Sequence, residues 1–416
     1  MKRSQSHRRA VRWLFSLMCL MVAGPALAHG ERNQEPFLRM RTAHFYDVKW
    51  STDHIAVNEE VTVSGRFRLF EDWPANLPKP ERVFIGNGTP GPVLARVESY
   101  INGSPAIQSG PLHLDRDYEF KTVLKGRIPG RHHVHPMVNV EGAGPLLGPG
   151  SWVEVSGDHA DFKLPLTTLD GTQIPNLETW GVDMVVRWQG FWILMALVFA
   201  GWWLRRPLLM TRLRALEAGR EDLLVTRGDR LWAAVFITGT VLTVFGAATW
   251  AENRYPRTVP LQAGQFRVDP LPREAREITV KVERATYDVP GRSMKMTLTL
   301  HNPLSRPVQL GEFLTANLRF VNHAVPAAMA LVDPRYPADI VPRAGLTVHD
   351  AAPLAPGETR SIKIEATDAV WETERLTSLL TDPDNRVGGL LFLFDDAGER
   401  HIANVSGAIV PVFTGG

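Results

Sequence analysis

The mature chain lacks cysteine almost by construction. The single cysteine in 416 residues is Cys19, and it falls inside a segment that reads as a removable export signal. Without another thiol the chain can form no disulfide, thiolate metal site or cysteine nucleophile. A blue-copper centre is excluded as well, since it needs a thiolate beside its histidines. Any transition metal must therefore be held by imidazole, amine, carboxylate or amide groups. Charge of one sign is also scarce. The 46 basic and 44 acidic side chains leave a net charge of +2, which gives no reason to invoke nucleic acid or a strongly acidic partner. No G-x-S-x-G, Walker A or G-x-G-x-x-G motif stands in a fitting context, so hydrolase, phosphate and dinucleotide chemistries lack support.

Long apolar runs are confined to three places. Residues 1–28 have the three parts of a secretory signal: a basic start (Lys2, Arg3, Arg8, Arg9, Arg12), an apolar stretch from Trp13 to Ala23, and Ala26-Leu27-Ala28 as a cleavage site. Cleavage after Ala28 would make His29 the first mature residue. Trp188 to Leu204 and Leu231 to Trp250 are uncharged and bounded by tryptophans, and the second has the length needed to cross a hydrocarbon core. Together they form a hairpin region, 185–250. Arg205, Arg206, Arg212, Arg214, Arg220, Arg227 and Arg230 crowd between them, which places this loop in the cytoplasm. Both large flanking regions then fall on the periplasmic side of a bacterial cytoplasmic or intracytoplasmic membrane.

The flanks, 29–180 and 256–416, read as mainly β. Val61, Val63, Gly65, Phe67 and Leu69 alternate with more polar residues, the period of a half-buried strand. Tyr118 to Leu124, Trp152 to Val155, Ile278 to Val282, Met294 to Leu300, Ile362 to Ala366 and Leu390 to Phe394 are further strands between Pro/Gly-rich turns. Such punctuation predicts β-sandwiches. Ala369 to Leu380, capped by Asp368, reads as a short helix.

The candidate ligands are histidines. A mature His29 offers an α-amine and an imidazole from one residue, a chelate suited to square-planar Cu(II). In the run Gly130-Arg-His-His-Val-His-Pro-Met, His133 and His135 lie two apart and share a strand face, whereas His132 faces away. Pro136 cannot donate to a ladder, so this strand is expected at an edge or a bulge. Zinc is the alternative metal, because it accepts three histidines and has no redox chemistry. His44 sits in a strand-like run and reads as a core residue. His54, His113, His159, His301, His323, His349 and His401 lack a partner at ligand spacing and read as surface or packing residues.

Several segments carry a resemblance. The run His29-Gly-Glu-Arg-Asn-Gln-Glu-Pro-Phe-Leu-Arg-Met-Arg-Thr, His133 to Val140, Gly144 to Gly150, Thr258 to Gly264, Asp288 to Arg292, Leu310 to Phe313 and Ile409 to Phe413 resemble, in order, the B subunits of the particulate methane monooxygenase and ammonia monooxygenase family. The resemblance implies two cupredoxin-like periplasmic domains joined by a two-helix transmembrane hairpin. It further implies two membrane-embedded partner subunits, A and C, in a trimer of three-subunit protomers, and copper-dependent hydroxylation of methane, short alkanes or ammonia by O₂. The matching copper ligands are His29, His133 and His135. A second copper position maps onto His44, with Asn404 standing where some members place glutamine. Cues to the substrate conflict: the start of the mature chain resembles the ammonia-oxidising branch, and His44 resembles methane oxidisers. Two readings outside that family share the histidines: a periplasmic copper-binding or assembly protein, and a lytic polysaccharide monooxygenase-like oxidase.

Neither apolar span carries His, Asp or Glu in its core, so neither offers an intramembrane ligand set. A strong copper–oxygen oxidant needs a water-poor site. The expectation is that this chain holds copper while O₂ activation lies in a partner.

Overall fold

The computed structural model describes residues 36–168, 171–205, 210–255, 265–333, 341–367 and 384–413. The export signal, His29 and the helix expected over Ala369 to Leu380 lie outside them. By internal contacts the chain divides into two units, Ala160–Ala263 and the remainder.

The larger unit contains the first β-rich flank as far as His159 and the second from Gly264; residues 160–180, expected in the first flank, fall in the smaller unit. The first flank opens with a short helix, Pro36–Arg41, followed by ten strands: β1 (Ala43–Trp50), β2 (His54–Ala56), β3 (Glu60–Leu69), β4 (Val83–Gly88), β5 (Leu94–Ile101), β6 (Ser104–Pro105), β7 (Arg116–Gly126), β8 (Gly130–Val140), β9 (Gly144–Leu147) and β10 (Ser151–Ser156). One sheet runs β1-β3-β7-β5-β6. The facing sheet runs β2-β10-β8-β4, with β9 also on β8. Alternation along β3 and β8 sends Val61, Val63, Phe67, Val134 and Val138 into a shared core, closed by Phe45, Ile85 and Leu124. This is the inward-facing pattern of a sandwich.

The smaller unit pairs β11 (Leu166–Thr167) with β12 (Gln173–Ile174) and then forms two long helices, Val182–Leu204 and Arg227–Arg254. Both are long and apolar enough to cross a membrane; the first starts six residues before its apolar run and ends with it, and the second runs four residues past its own at each end. Phe199 meets Phe236 and Trp202 meets Trp232, so the two helices pack antiparallel. The second helix begins in a capping box, Thr226 with Asp229, and the Trp202 indole donates to Asp229 at 3.0 Å.

The second β-rich flank comprises β13 (Thr279–Asp288), β14 (Ser293–His301), β15 (Val308–Thr315), β16 (Leu318–Val321), β17 (Leu346–His349), β18 (Thr359–Thr367), β19 (Arg386–Asp395), β20 (Arg400–Ala408) and β21 (Val410–Val412). Its sheets run β17-β18-β14-β13-β21 and β16-β15-β19-β20 around Met294, Leu298, Phe313, Phe320, Leu391 and Val405.

β19 shows why its sequence does not alternate. Leu391 and Leu393 face the core of the second sandwich, while Leu390, Phe392 and Phe394 pack with Tyr46, Phe70 and Leu314 in a third cluster. That cluster joins the sandwiches, so the strand is apolar on both faces.

Charged pairs surround the junction. The Arg68 guanidinium holds Asp117, which also accepts from the Tyr46 hydroxyl at 2.7 Å. Arg386 donates to Asp72 at 2.7 Å, and Arg400 forks onto both Asp47 oxygens at 2.7 and 2.5 Å. Burial would raise the Asp47 pKa, but its bonds to Arg400 and the nearby Arg66 and Arg319 charges outweigh this and hold it below the ordinary value. Because the folded pKa is depressed, this carboxylate stabilises the fold above its unfolded pKa, ordinarily near 4. That contribution is lost as pH falls through the lower folded value. Thermal unfolding followed from pH 6 to pH 3 is therefore expected to show a falling midpoint that Asp47→Asn makes shallower. An unchanged slope in the variant would remove Asp47 from the account.

Candidate metal centre

His133 and His135 come together as their spacing requires. Both project from one face of β8, with ring centroids 4.5 Å apart and His135 Nε2 3.1 Å from His133 Nδ1. His132 turns to the other face, its Nε2 2.9 Å from the Ile128 carbonyl. The strand is not at an edge; of the two places that Pro136 allows, it takes the irregular one, where the register of the β9–β10 side slips by one residue. β10 pairs with residues 130–134, while β4 pairs with 135–140 and β9 with 137–140. The ladder along β9 and β10 breaks opposite Pro136, where Gly148 N–H donates to the Pro136 carbonyl at 2.8 Å. An interior strand tolerates this proline because the missing N–H coincides with the gap.

The loop filling that gap sets the imidazoles. His135 Nδ1 lies 2.8 Å from the Gly148 carbonyl. A carbonyl only accepts, so Nδ1 carries the proton and Nε2 keeps the lone pair that faces His133. Burial pushes His135 down to a pKa of about 4; the bond to Gly148 opposes this, and the His133 and Arg39 charges add to it. The ring is thus neutral at neutral pH, the form that binds metal. A side chain at Gly150 would collide with both rings, its Cβ lying 2.6 Å from His135 Cε1 and 2.8 Å from His133 Nε2.

Two nitrogens on one ion, at bond lengths near 2.0 Å, stand about 2.8 Å apart at a right angle and about 3.3 Å apart in a tetrahedron. The 3.1 Å separation lies between the two, so the spacing is compatible with either geometry and does not by itself choose copper over zinc. Gly150→Ala is expected to weaken metal binding at least tenfold by rotating both rings, while leaving the sandwich folded. Metal titration alongside circular dichroism checks this, and full affinity in the variant would show that the rings need no such clearance.

Two side chains and a cleft border the pair. Trp152, the cross-strand partner of His133, lies 4.9 Å from its ring. The Arg131 guanidinium sits 4.5 Å above the Trp152 indole. A cleft of about 360 Å³ opens beside them, lined by Trp50, Asp53, Arg131, Pro149, Gly150 and Trp152 among others. Sequence reasoning did not assign Gly148, Gly150, Arg131 or Trp152 to the site. The repeated glycines flanking Pro149 are the one local signal of a tight backbone approach.

His44 and Asn404 lie in the junction between the sandwiches. His44 pairs across the ladder with Arg68 and meets the Phe70 ring at 5.0 Å. Neither of its buried ring nitrogens makes a well-aligned hydrogen bond. Burial pushes its pKa down to about 3, a main-chain contact with Met40 opposes, and the Arg68 charge adds to the fall. Asn404 is committed at both ends: its oxygen accepts from Arg68 at 3.1 Å and its amide donates to Asp115 at 2.5 Å.

Known proteins share this sequence along its length. The family of monooxygenase B-subunit proteins matches residues 30–413. The particulate methane monooxygenase alpha subunit of Methylococcus capsulatus (strain Bath) is 44% identical over 392 residues, 94% of each chain. Among solved structures, the cupredoxin domain of amoB from Nitrosocaldus yellowstonii aligns at 15% identity and a TM-score of 0.24, covering 31% of this chain and 96% of that one. The adhesin InvE of Yersinia pseudotuberculosis aligns at 9% identity and a TM-score of 0.17, covering 87% and 60%. Overlaps that low carry no weight, and the fold rests on the strands described above. The sequence match alone, running through both sandwiches and the helical hairpin, places this chain in the family of monooxygenase B-subunit proteins.

Proposed function

We propose that this chain is the copper-holding component of a membrane monooxygenase complex that hydroxylates methane, short alkanes or ammonia with O₂. The carrying observation is the His133–His135 pair, with its nitrogens 3.1 Å apart under a glycine that leaves room for both rings. His29 supplies the remaining donors, its α-amine and imidazole. Reach favours this. The helix at Pro36–Arg41 begins seven residues after His29, a span of up to about 25 Å, and its Arg39 already acts electrostatically on His135. An amine with three imidazoles suits copper(II), which heads the divalent affinity order.

Bound copper supplies one-electron redox chemistry. The chain's own residues have simpler tasks. Gly148 fixes the His135 tautomer, Gly150 admits the rings, and Trp152 covers the outer face of His133. The long helices anchor both sandwiches on the periplasmic face of the membrane, beside two partner subunits, with three such protomers in a ring. O₂ activation belongs to a partner, because the apolar cores of Trp188 to Leu204 and Leu231 to Trp250 hold no His, Asp or Glu and oxidation of an alkane needs a dry site. The cupredoxin-like description of both sandwiches follows from the same reading.

Gentle detergent extraction, with mass analysis of what co-purifies, tests the assembly. Two hydrophobic partners in equal amount, and turnover of at least one of the three substrates, are expected. A chain that separates freely from membranes and partners would instead indicate a copper-handling protein.

A further inference from the structure

We propose that Asp395, Glu399 and His401 form a divalent-cation site, best suited to zinc, at the tip of the β19–β20 hairpin. One oxygen from each carboxylate and one ring nitrogen of His401 lie within 4.8 Å of one another. Among the described residues this is the one place where three such side chains converge. The hairpin arranges it. Asp395 ends β19, its N–H bonds the Glu399 carbonyl, and His401 pairs with Leu393 one step along. Alternation then sends Glu399 and His401 to the same face.

Convergence of acids is common and means little alone. His401 supplies the independent observation. Its residue is 8% exposed, its Nε2 is buried, and that nitrogen has no hydrogen-bond partner. The other nitrogen, Nδ1, lies 2.8 Å from a Glu274 oxygen. A carboxylate accepts, so Nδ1 holds a proton, and in the neutral, metal-binding form of the ring the lone pair is on Nε2. In the neutral ring that lone pair is buried with no donor to meet, and a cation bound there and by the two carboxylates would satisfy all three groups. Carboxylate on one nitrogen and metal on the other is how a ligating histidine is ordinarily oriented. Asp395 Oδ1 already accepts from the Ala397 and Glu399 amides, at 2.9 and 2.8 Å. Arg306 approaches the other oxygen at 3.4 Å and Asp396 at 3.6 Å, long contacts from a half-exposed side chain. The ion would share Asp395 with that guanidinium. One imidazole and two carboxylates, completed by water, suit zinc, which takes nitrogen and oxygen ligands without geometric preference. The ion would tie the hairpin tip to the segment bearing Glu274.

The test uses the untagged full-length chain in detergent, stripped by chelator, with His133→Ala and His135→Ala removing the other centre. Cobalt(II) serves as a visible probe and zinc as its competitor. One equivalent of zinc-displaceable cobalt is expected, with affinity falling at least tenfold in both Glu399→Gln and His401→Ala. Glu274→Gln should cost about 10–100-fold, as changes behind a ligating histidine do. Zinc should also raise the unfolding midpoint of the parent but not of Glu399→Gln. Glu399 is exposed, so its variant folds and the comparison remains decisive. Absence of cobalt binding, or unchanged affinity in Glu399→Gln or His401→Ala, overturns the proposal.

Discussion

Replacing Glu312 by alanine is expected to lower stability by about 3–5 kcal/mol, the cost of leaving a buried charge without its partner. Glu312 on β15 is fully buried, and Arg319 on β16 forks onto both its oxygens at 2.7 and 2.8 Å. The hairpin that carries the pair lies in the sheet whose outer face joins the two sandwiches. Alanine removes that bidentate counter-charge, and the Leu331 carbonyl, which accepts from Arg319 at 3.3 Å, is a neutral acceptor that does not replace it. For a unit of this size the thermal midpoint should drop by roughly 10 °C. Replacing both partners together, as Glu312→Met with Arg319→Leu, should recover most of the loss, because a buried pair and well-packed apolar groups are often comparable. A single variant as stable as the parent would show that water reaches Arg319.

The second large effect is on metal. His133→Ala with His135→Ala removes both described donors of the proposed copper centre, and copper in the purified complex should fall to the level left by other sites. The loss should exceed the ~10–100-fold that changes behind a ligand produce. Both side chains are partly exposed at one end of the sandwich and neither belongs to its apolar core, so assembly with partners should survive. Turnover then separates two roles. An assembled complex that has lost this copper and still oxidises substrate fully would rule out a catalytic role for it. Loss of turnover with intact assembly would contradict the placement of O₂ activation elsewhere.

Local pattern made much of this legible. Alternation located β3, β7 and β14. Uniform apolarity located the two long helices. The two-residue spacing of His133 and His135 is a direct consequence of strand geometry. What escaped the sequence is non-local. Pro136 allows an edge or a bulge, and only the break between β9 and β10 decides between them. Gly150 matters because two side chains from another strand occupy the space of its missing Cβ. His44 reads as a core residue from its strand-like run and is buried; what its neighbours in sequence do not announce is that a second sandwich packs on β1. Asn404 is spoken for by Arg68 and Asp115, more than 280 positions away in sequence. His401 read as a packing residue because its partner on one nitrogen, Glu274, comes from before β13. Its spacing from Glu399 was the local sign.

The central claim is a copper centre built from the mature amino terminus and the β8 histidines. The most direct measurement is N-terminal sequencing with copper analysis on the complex purified from membranes in mild detergent, for the parent and the His133→Ala/His135→Ala variant. The account predicts a mature chain starting at His29, copper in the parent, and its loss from an equally assembled variant. A different first residue, or copper retained in full by the variant, would contradict it.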